Sequence, residues 1–316
     1  MVELEVVHET RYAYAARVSL AHHLAHLQPL QDEHQQLLAF DLDIEPPPGA
    51  IKDSADAMGN SQRHFSLVQA HKRLRVRAVS RVRVAPRFAG LDVAASPPWV
   101  DVAARLRYVA RAPFEPALEF ALPSPYVPRL PALRDYGQLT FTPGKPVAQA
   151  AMELMHRIHS DFKYQSQSTE VDTPLAEVLQ HRRGVCQDFA QLMAGVLRMR
   201  GLPARYVSGY LLTHAPEGES NEGQAMQGAD ASHAWVQAWC PGTPGVGPDG
   251  WLDLDPTNDV VPGTGHVRVA VGRDFGDVTP LRGVIRGGGD HTLSVGVGTR
   301  RIAADPGAGP ERELPG

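Results

Sequence analysis

The chain alternates from its first residues. Val2, Leu4 and Val6 are separated by Glu3 and Glu5, and the run continues through Thr10, Tyr12 and Tyr14. Leu38, Phe40, Leu42 and Ile44 alternate with Ala39, Asp41, Asp43 and Glu45 until Pro46-Pro47-Pro48-Gly49 stops the run. The clearest case is Leu74 to Val84. Leu74, Val76, Ala78, Val82 and Val84 fall on one side, and Arg75, Arg77, Arg81 and Arg83 on the other. A period of two with one wet face predicts antiparallel strands packed on one side. Met58-Gly59-Asn60 reads as a turn. Residues 1–90 are therefore expected to form an N-terminal antiparallel β-sandwich domain.

The period then changes. Residues 91–145 carry Pro97-Pro98, Pro113, Pro116, Pro123, Pro125, Pro128 and Pro131, and read as a Pro-rich connection with some helical content, where the domain boundary falls. Val147, Ala150, Ala151, Leu154, Met155 and Ile158 recur at helical spacing and predict a helix near 146–161. A second helix is expected over 184–200, where Phe189, Leu192, Met193, Val196 and Leu197 line one face and Gly201-Leu202-Pro203 ends it. Strands follow near 204–213, 233–240, 251–255 and 266–275. The fold class is α+β, with a core expected over 146–300. Residues 214–230 have the composition of a long surface loop, expected to border the site and to move. The stretch 301–316 reads as a disordered tail.

Composition narrows the classes. The 316 residues are 43% hydrophobic and 21% charged, which excludes global disorder. No apolar run approaches the roughly 18 residues of a membrane span, and the acidic start Met1-Val2-Glu3-Leu4-Glu5 does not read as a secretory signal. A net charge of −4 gives no global attraction to nucleic acid or anionic lipid. The arginine stripe of residues 75–83 lacks interleaved aromatics and is expected to be a solvated sheet face. Neither nucleic acid nor membrane is an expected partner, and the oligomeric state is left open. Gly245 to Gly250 matches G-x-G-x-x-G but contains Pro248 and leads into a strand, so the dinucleotide reading fails.

Two cysteines cannot make a disulfide framework, and no C-x-x-C pair exists for a thiolate metal site. The expected compartment is reducing, most simply the cytoplasm. Cys186 lies in the first turn of the predicted 184–200 helix. Unpaired backbone N–H groups and the helix dipole there favour a thiolate. A buried structural cysteine is the plain alternative, and Cys240, after Trp239, is read as one. His233 opens the alternating run His233-Ala234-Trp235-Val236-Gln237-Ala238-Trp239, yet one histidine among 14 is weak evidence alone. Asp255 ends the strand Trp251 to Leu254, held extended by Pro256. Taken singly it is a turn residue. Paired with Asp253 it is a conceivable metal site, but no ligand spacing supports one. Together, Cys186, His233 and Asp255 are the ingredients of a thiol nucleophile, its base and its orienter.

The strings GVCQDFA, ARYVSGY, DASHAW and DPTN, in that order, resemble the transglutaminase-like superfamily. The segments HETRYAY, DAMGN at 56–60 and HVRVAVGRDFGDVTPLRG at 266–283 are similar to its bacterial members that carry their own N-terminal β-domain. The resemblance implies a papain-like core with a cysteine helix packed on an antiparallel sheet. It implies Cys186 as nucleophile, His233 as general base and Asp255 as orienting carboxylate, with no cofactor and no metal. The activity it implies is acyl transfer on peptide or glutamine-type amides through a thioester, completed by water or by an amine. The expected partner is a peptide or protein substrate. Tyr164, Gln187 and Trp235 are the candidates for oxyanion or substrate contact. The stretch Pro241 to Gly250 is longer than the tight turn of the family and is expected to alter the rim of the cleft. A silent binding or scaffold protein built on the β-domain is the alternative.

Overall fold

The computed structural model describes residues 1–111, 113–166, 168–212 and 232–302. The first half is a curled antiparallel sheet organised on one long strand. β1 (Val2–Ala25) is followed by β2 (Gln35–Glu45), β3 (Ala50–Ala55), β4 (Ser61–Leu67) and β5 (His71–Val84). The first half of β1 pairs β5; after a register shift between Ala13 and Val18, its second half pairs β4. Such an irregularity bends a strand and increases its twist. The curl closes over Val18, Ala21, Phe65, Leu67, Leu74, Val76 and Ala78. The face of β5 expected to be buried is buried. On the other face, Arg75 meets Glu9 and Asp43 at 2.8 Å each, and Arg83 meets Glu3. The arginine stripe is thus laced to acids of neighbouring strands.

The Pro-rich segment is partly helical and packed. It forms α1 (Trp99–Arg105), a 3₁₀ turn (Pro116–Ala121) and α2 (Pro131–Gly137). Its Val102, Phe120, Val127, Leu133 and Phe141 are buried in the same cluster as the later helices.

Next come α3 (Val147–Asp161), β6 (Lys163–Tyr164), α4 (Leu175–His181), β7 (Arg183–Gly184) and α5 (Cys186–Met199). α5 buries Phe189, Leu192, Met193, Val196 and Leu197, the stripe read from the sequence, and Gly201 (φ 76°) ends it. A four-stranded antiparallel sheet follows, from β8 (Ala204–Leu211), β9 (Ser232–Trp239), β10 (Trp251–Leu254) and β11 (His266–Gly272), in the order β10-β9-β8-β11. Ala234, Val236 and Ala238 of β9 lie in the core shared with α5; Trp235 and Val207 pack against Leu30 and Met58 instead.

The chain closes with α6 (Phe275–Val278), β12 (Leu281–Gly287) and β13 (His291–Ile302). The sequence reading assigned 146–300 to the core and began the tail at 301. β12 and β13 instead pair antiparallel with β1, so residues 281–302 complete the N-terminal sheet, and Arg301 and Ile302 lie within β13. The sequence predicts no strand beyond 266–275, because Gly283 and Gly287-Gly288-Gly289 interrupt the apolar pattern there. Residues 303–316 and the expected loop 214–230 lie outside the described residues. No helix among the described residues is long and apolar enough to cross a membrane.

Candidate active site

The start of α5 is set by its surroundings. Gly184 pairs with Tyr164 across β6 and β7, and a Cβ on Gly184 would lie 2.7 Å from Asp188 Oδ2. That oxygen accepts the Val185 N–H at 2.8 Å and the Thr169 hydroxyl at 2.6 Å. Asp188, third in the helix and 1% exposed, thereby caps the helix and ties Thr169 to it. Burial raises its carboxyl above the ordinary range, against the lowering effect of those two bonds. Cys186 is the first helical residue and is half-buried. Its backbone N–H has no acceptor within the helix.

His233 lies at the start of β9, 7% exposed. Its Nε2 donates to Asp255 Oδ2 at 2.7 Å, and the imidazole lies close enough to Cys186 for the sulfur to raise its pKa. With Nε2 committed to the carboxylate, Nδ1 is the nitrogen left for sulfur. Asp255 is wholly buried just after β10, where an isolated bridge to Val260 tightens the turn. Its Oδ1 accepts the N–H groups of Thr257 (2.9 Å) and Asn258 (3.2 Å). Its Oδ2 accepts His233, the Asn258 amide at 2.7 Å and His266 Nε2 at 3.2 Å. His159 of α3 reaches the Thr257 carbonyl at 3.0 Å, bracing the same turn.

Burial alone would lower the His233 pKa, but the bond to Asp255 and the nearness of Cys186 outweigh it and hold it up to about 10. Burial would raise Asp255; its imidazole and amide donors carry it well below the carboxylate range. The sign for stability follows. The contribution of His233 is complete below the unfolded value of 6.5 and is lost as pH rises through about 10. That of Asp255 is complete above 3.8 and is lost as pH falls through its depressed value. The difference in Tm between wild type and His233→Gln should therefore be widest near pH 4 to 6.5 and shrink toward pH 10. Thermal melts across that range check it; a gap that grows with alkali contradicts it.

The three residues expected to act together are brought together. The other candidates divide. Trp235 is fully buried, stacked on His233 (centroids 6.1 Å apart), so it underlies the site and offers substrate no surface. Gln187 donates to the Val171 carbonyl at 3.0 Å, so its amide is engaged with the chain before α4. Tyr164 is 40% exposed, with its ring edge-on to Phe189. Asp253 does not pair with Asp255: it is ion-paired to Arg268, whose Nε lies 3.1 Å from its Oδ2. Cys240 is fully buried, and burial pushes its thiol far up.

The stretch Pro241 to Gly250 does not reach the site. It follows the end of β9 opposite His233, roughly 20 Å along the strand, and packs on the connection through Asp92 N–H to the Pro244 carbonyl. Gly245 lies against Leu91 and Gly242 against Pro97 of that connection.

The sequence alone gives no role to His266 or Asn258, although both lie in the family-like strings HVRVAVG and DPTN. The signal was their presence there; spacing alone does not bring position 266 to position 255. One atom each from His233, Asp255 and His266 lie within 4.8 Å of one another, a set that a divalent transition metal could accept. Here the imidazole Nε2 atoms are both engaged on Asp255 Oδ2.

A helix led by a cysteine, laid on an antiparallel sheet whose near end carries histidine and aspartate, defines the transglutaminase-like class. The chain belongs to the transglutaminase-like superfamily. Residues 136–256 match that superfamily and residues 4–83 match the bacterial transglutaminase-like N-terminal region. An uncharacterised protein of Mycobacterium tuberculosis is 39% identical over 282 residues, 89% of this chain and 86% of that protein. One of Mycobacterium leprae is 32% identical over 304 residues, 96% and 100%. A protein-glutamine gamma-glutamyltransferase of Pseudomonas aeruginosa is 36% identical over 140 residues, 43% of this chain and 19% of that protein. The fold is similar to the crystal structure of a proposed cysteine protease from Cytophaga hutchinsonii. That likeness has TM-score 0.68 and 20% identity, and covers 96% of this chain and 92% of the other.

Proposed function

We propose that the protein is a thiol-dependent acyl-transfer enzyme acting on carboxamides of peptides or proteins, with Cys186 as nucleophile, His233 as acid and base, and Asp255 as orienter. The observation that carries this is the buried His233, bonded to Asp255 at 2.7 Å and close enough to the helix-leading Cys186 for that sulfur to raise its pKa. In the paired state the sulfur is a thiolate and the imidazole is protonated. The thiolate attacks the amide carbonyl, and the Cys186 N–H stabilises the oxyanion. The imidazolium passes its proton to the leaving amine as the C–N bond breaks, leaving a thioester. Water or a primary amine, losing its proton to His233, then attacks the thioester and releases the thiolate. Similarity to a protein-glutamine gamma-glutamyltransferase over 140 residues supports the amide as donor. Two free cysteines fit a reducing compartment, and we place the protein in the cytoplasm on that basis.

The test is one incubation of wild type and Cys186→Ala with a mixed peptide library and a primary-amine probe, read by mass spectrometry. Wild type should give amine adducts, deamidated products or cleaved peptides, and whichever dominates identifies the acceptor. Cys186→Ala should give none. Equal product from both proteins sinks the thiol mechanism. No product from wild type, together with slow alkylation of Cys186 in mildly acidic solution, favours a silent binding protein.

A further inference from the structure

The fold supplies Asp255 with a second imidazole. His266, the first residue of β11, is 7% exposed, and its Nε2 lies 3.2 Å from the same oxygen that His233 reaches at 2.7 Å. An imidazole in so dry a place loses its hydration, and a hydrogen bond must offset that loss. Its ring meets Trp235 edge-on, centroids 5.3 Å apart, and Trp235 stacks on His233 at 29°. Two routes therefore lead from His266 to His233, one through the carboxylate and one through the indole.

The approach is made across an intervening strand. β8 separates β9 from β11, and Gly209 is the β8 residue opposite His233. A Cβ there would lie 2.2 Å from the Val267 carbonyl and 2.5 Å from the Trp235 ring. The missing side chain is the space in which Trp235 and the start of β11 meet.

We propose that His266 is a positioning residue for the His233–Asp255 pair. Its Nε2–H donates to Asp255 Oδ2 and fixes the carboxylate, while its contact with Trp235 holds the plane of His233 toward Cys186. It touches no substrate. The role rests on the thiol reading above and adds to that site a fourth member, contributed by the strand that borders the N-terminal sheet.

The experiment uses the full chain and needs no substrate: the rate of Cys186 alkylation by iodoacetamide as a function of pH, with Cys186→Ala as the blank for Cys240. His266→Gln keeps an N–H donor at about the reach of Nε2. His266→Phe keeps a ring and removes the donor. His266→Gln should follow the wild-type profile. His266→Phe should need about one pH unit more alkali for the same rate, so that alkylation in mildly acidic solution is about tenfold slower. A core-filling role would lower Tm without moving the profile. Superposition of His266→Phe on wild type overturns the proposal, and so does an equal shift in both variants, because the donor is then irrelevant. If His266→Phe does not fold, His266→Asn, whose amide is too short to reach Asp255, takes its place under the same criterion. A wild type that is unreactive on the acid side overturns the thiol reading and this proposal with it. A reactive wild type with an unmoved His266→Phe overturns this proposal alone.

Discussion

Replacing Asp255 with alanine should cost the protein both its fold margin and its chemistry. The carboxylate accepts from two backbone N–H groups, one amide and two imidazoles, with no exposed surface of its own. Removing it leaves these donors facing one another in a dry site. An unmet buried donor costs about 1–3 kcal/mol, and breaking a buried ion pair about 3–5 kcal/mol. These terms overlap, so about 3–5 kcal/mol in all is expected, a large part of the roughly 5–15 kcal/mol that holds a domain folded. Urea unfolding of Asp255→Ala measures it, and a loss below about 1 kcal/mol would contradict the account of the site. Asp255→Asn separates stability from chemistry. Asparagine fills the same volume, but whichever way its amide turns, the NH2 group meets donors: the backbone pair, or His233, His266 and Asn258. To remain bonded, His233 must present an unprotonated Nε2, which places its proton on Nδ1, toward Cys186. In that tautomer it cannot take a proton from sulfur. The rate should fall by about 10³–10⁴, with a smaller loss of stability than in the alanine variant.

What could be read from the sequence was local. The stripe from Phe189 to Leu197 specifies the helix, Gly201-Leu202-Pro203 its end, and the alternation from Leu74 to Val84 a one-sided strand; these elements form as expected. Cys186 is placed by its position in that helix, and Asp255 by the strand-ending Pro256. The pairing of strands could not be read. Residues 281–302, interrupted by Gly283 and by Gly287-Gly288-Gly289, do not announce strands at all, and nothing local says that β1 is the partner. Asp253 and Asp255 share a parity that suggests one face. The strand ends at Leu254, however, and the turn carries Asp255 to the histidines while Asp253 stays with Arg268. His266 illustrates the same limit at the site. Its string announces a strand, but its place beside Asp255 depends on Gly209 letting two rings approach over the neighbouring strand, a fact of register.

That limit leads to the second large effect: a fragment of residues 91–302 should not fold into an active core. β11 is the outer strand of the four-stranded sheet, and its free backbone groups are met by side chains from the N-terminal sheet. Asn60 donates to the Val271 carbonyl at 2.7 Å and accepts the Val271 N–H at 2.8 Å. Gln35 does the same for Arg268, at 2.8 Å in each direction. Both act as stand-ins for a fifth strand, which is how an edge is kept from pairing with another molecule. The DAMGN string now has a physical reading: Asp56 Oδ1 accepts the N–H groups of Met58 and Asn60 at 2.9 Å, and its Oδ2 takes the Asn60 amide at 2.8 Å, aiming that side chain at β11. Leu4, Val6, Val82, Val84 and Val297 also share one apolar cluster with α5 and β9. The fragment would expose that cluster, uncover the edge of β11 and leave β12 and β13 without β1. It should aggregate, or lack the near-ultraviolet dichroism of a packed core. A graded form of the test is Asn60→Ala in the full chain, which leaves a buried backbone donor and acceptor unmet and should cost about 2–4 kcal/mol by urea unfolding. A fragment that melts cooperatively and keeps an alkylation-reactive Cys186 would mean that the N-terminal sheet is an accessory. The present geometry makes it a wall of the core, since the strand it covers is the one that brings His266 to Asp255.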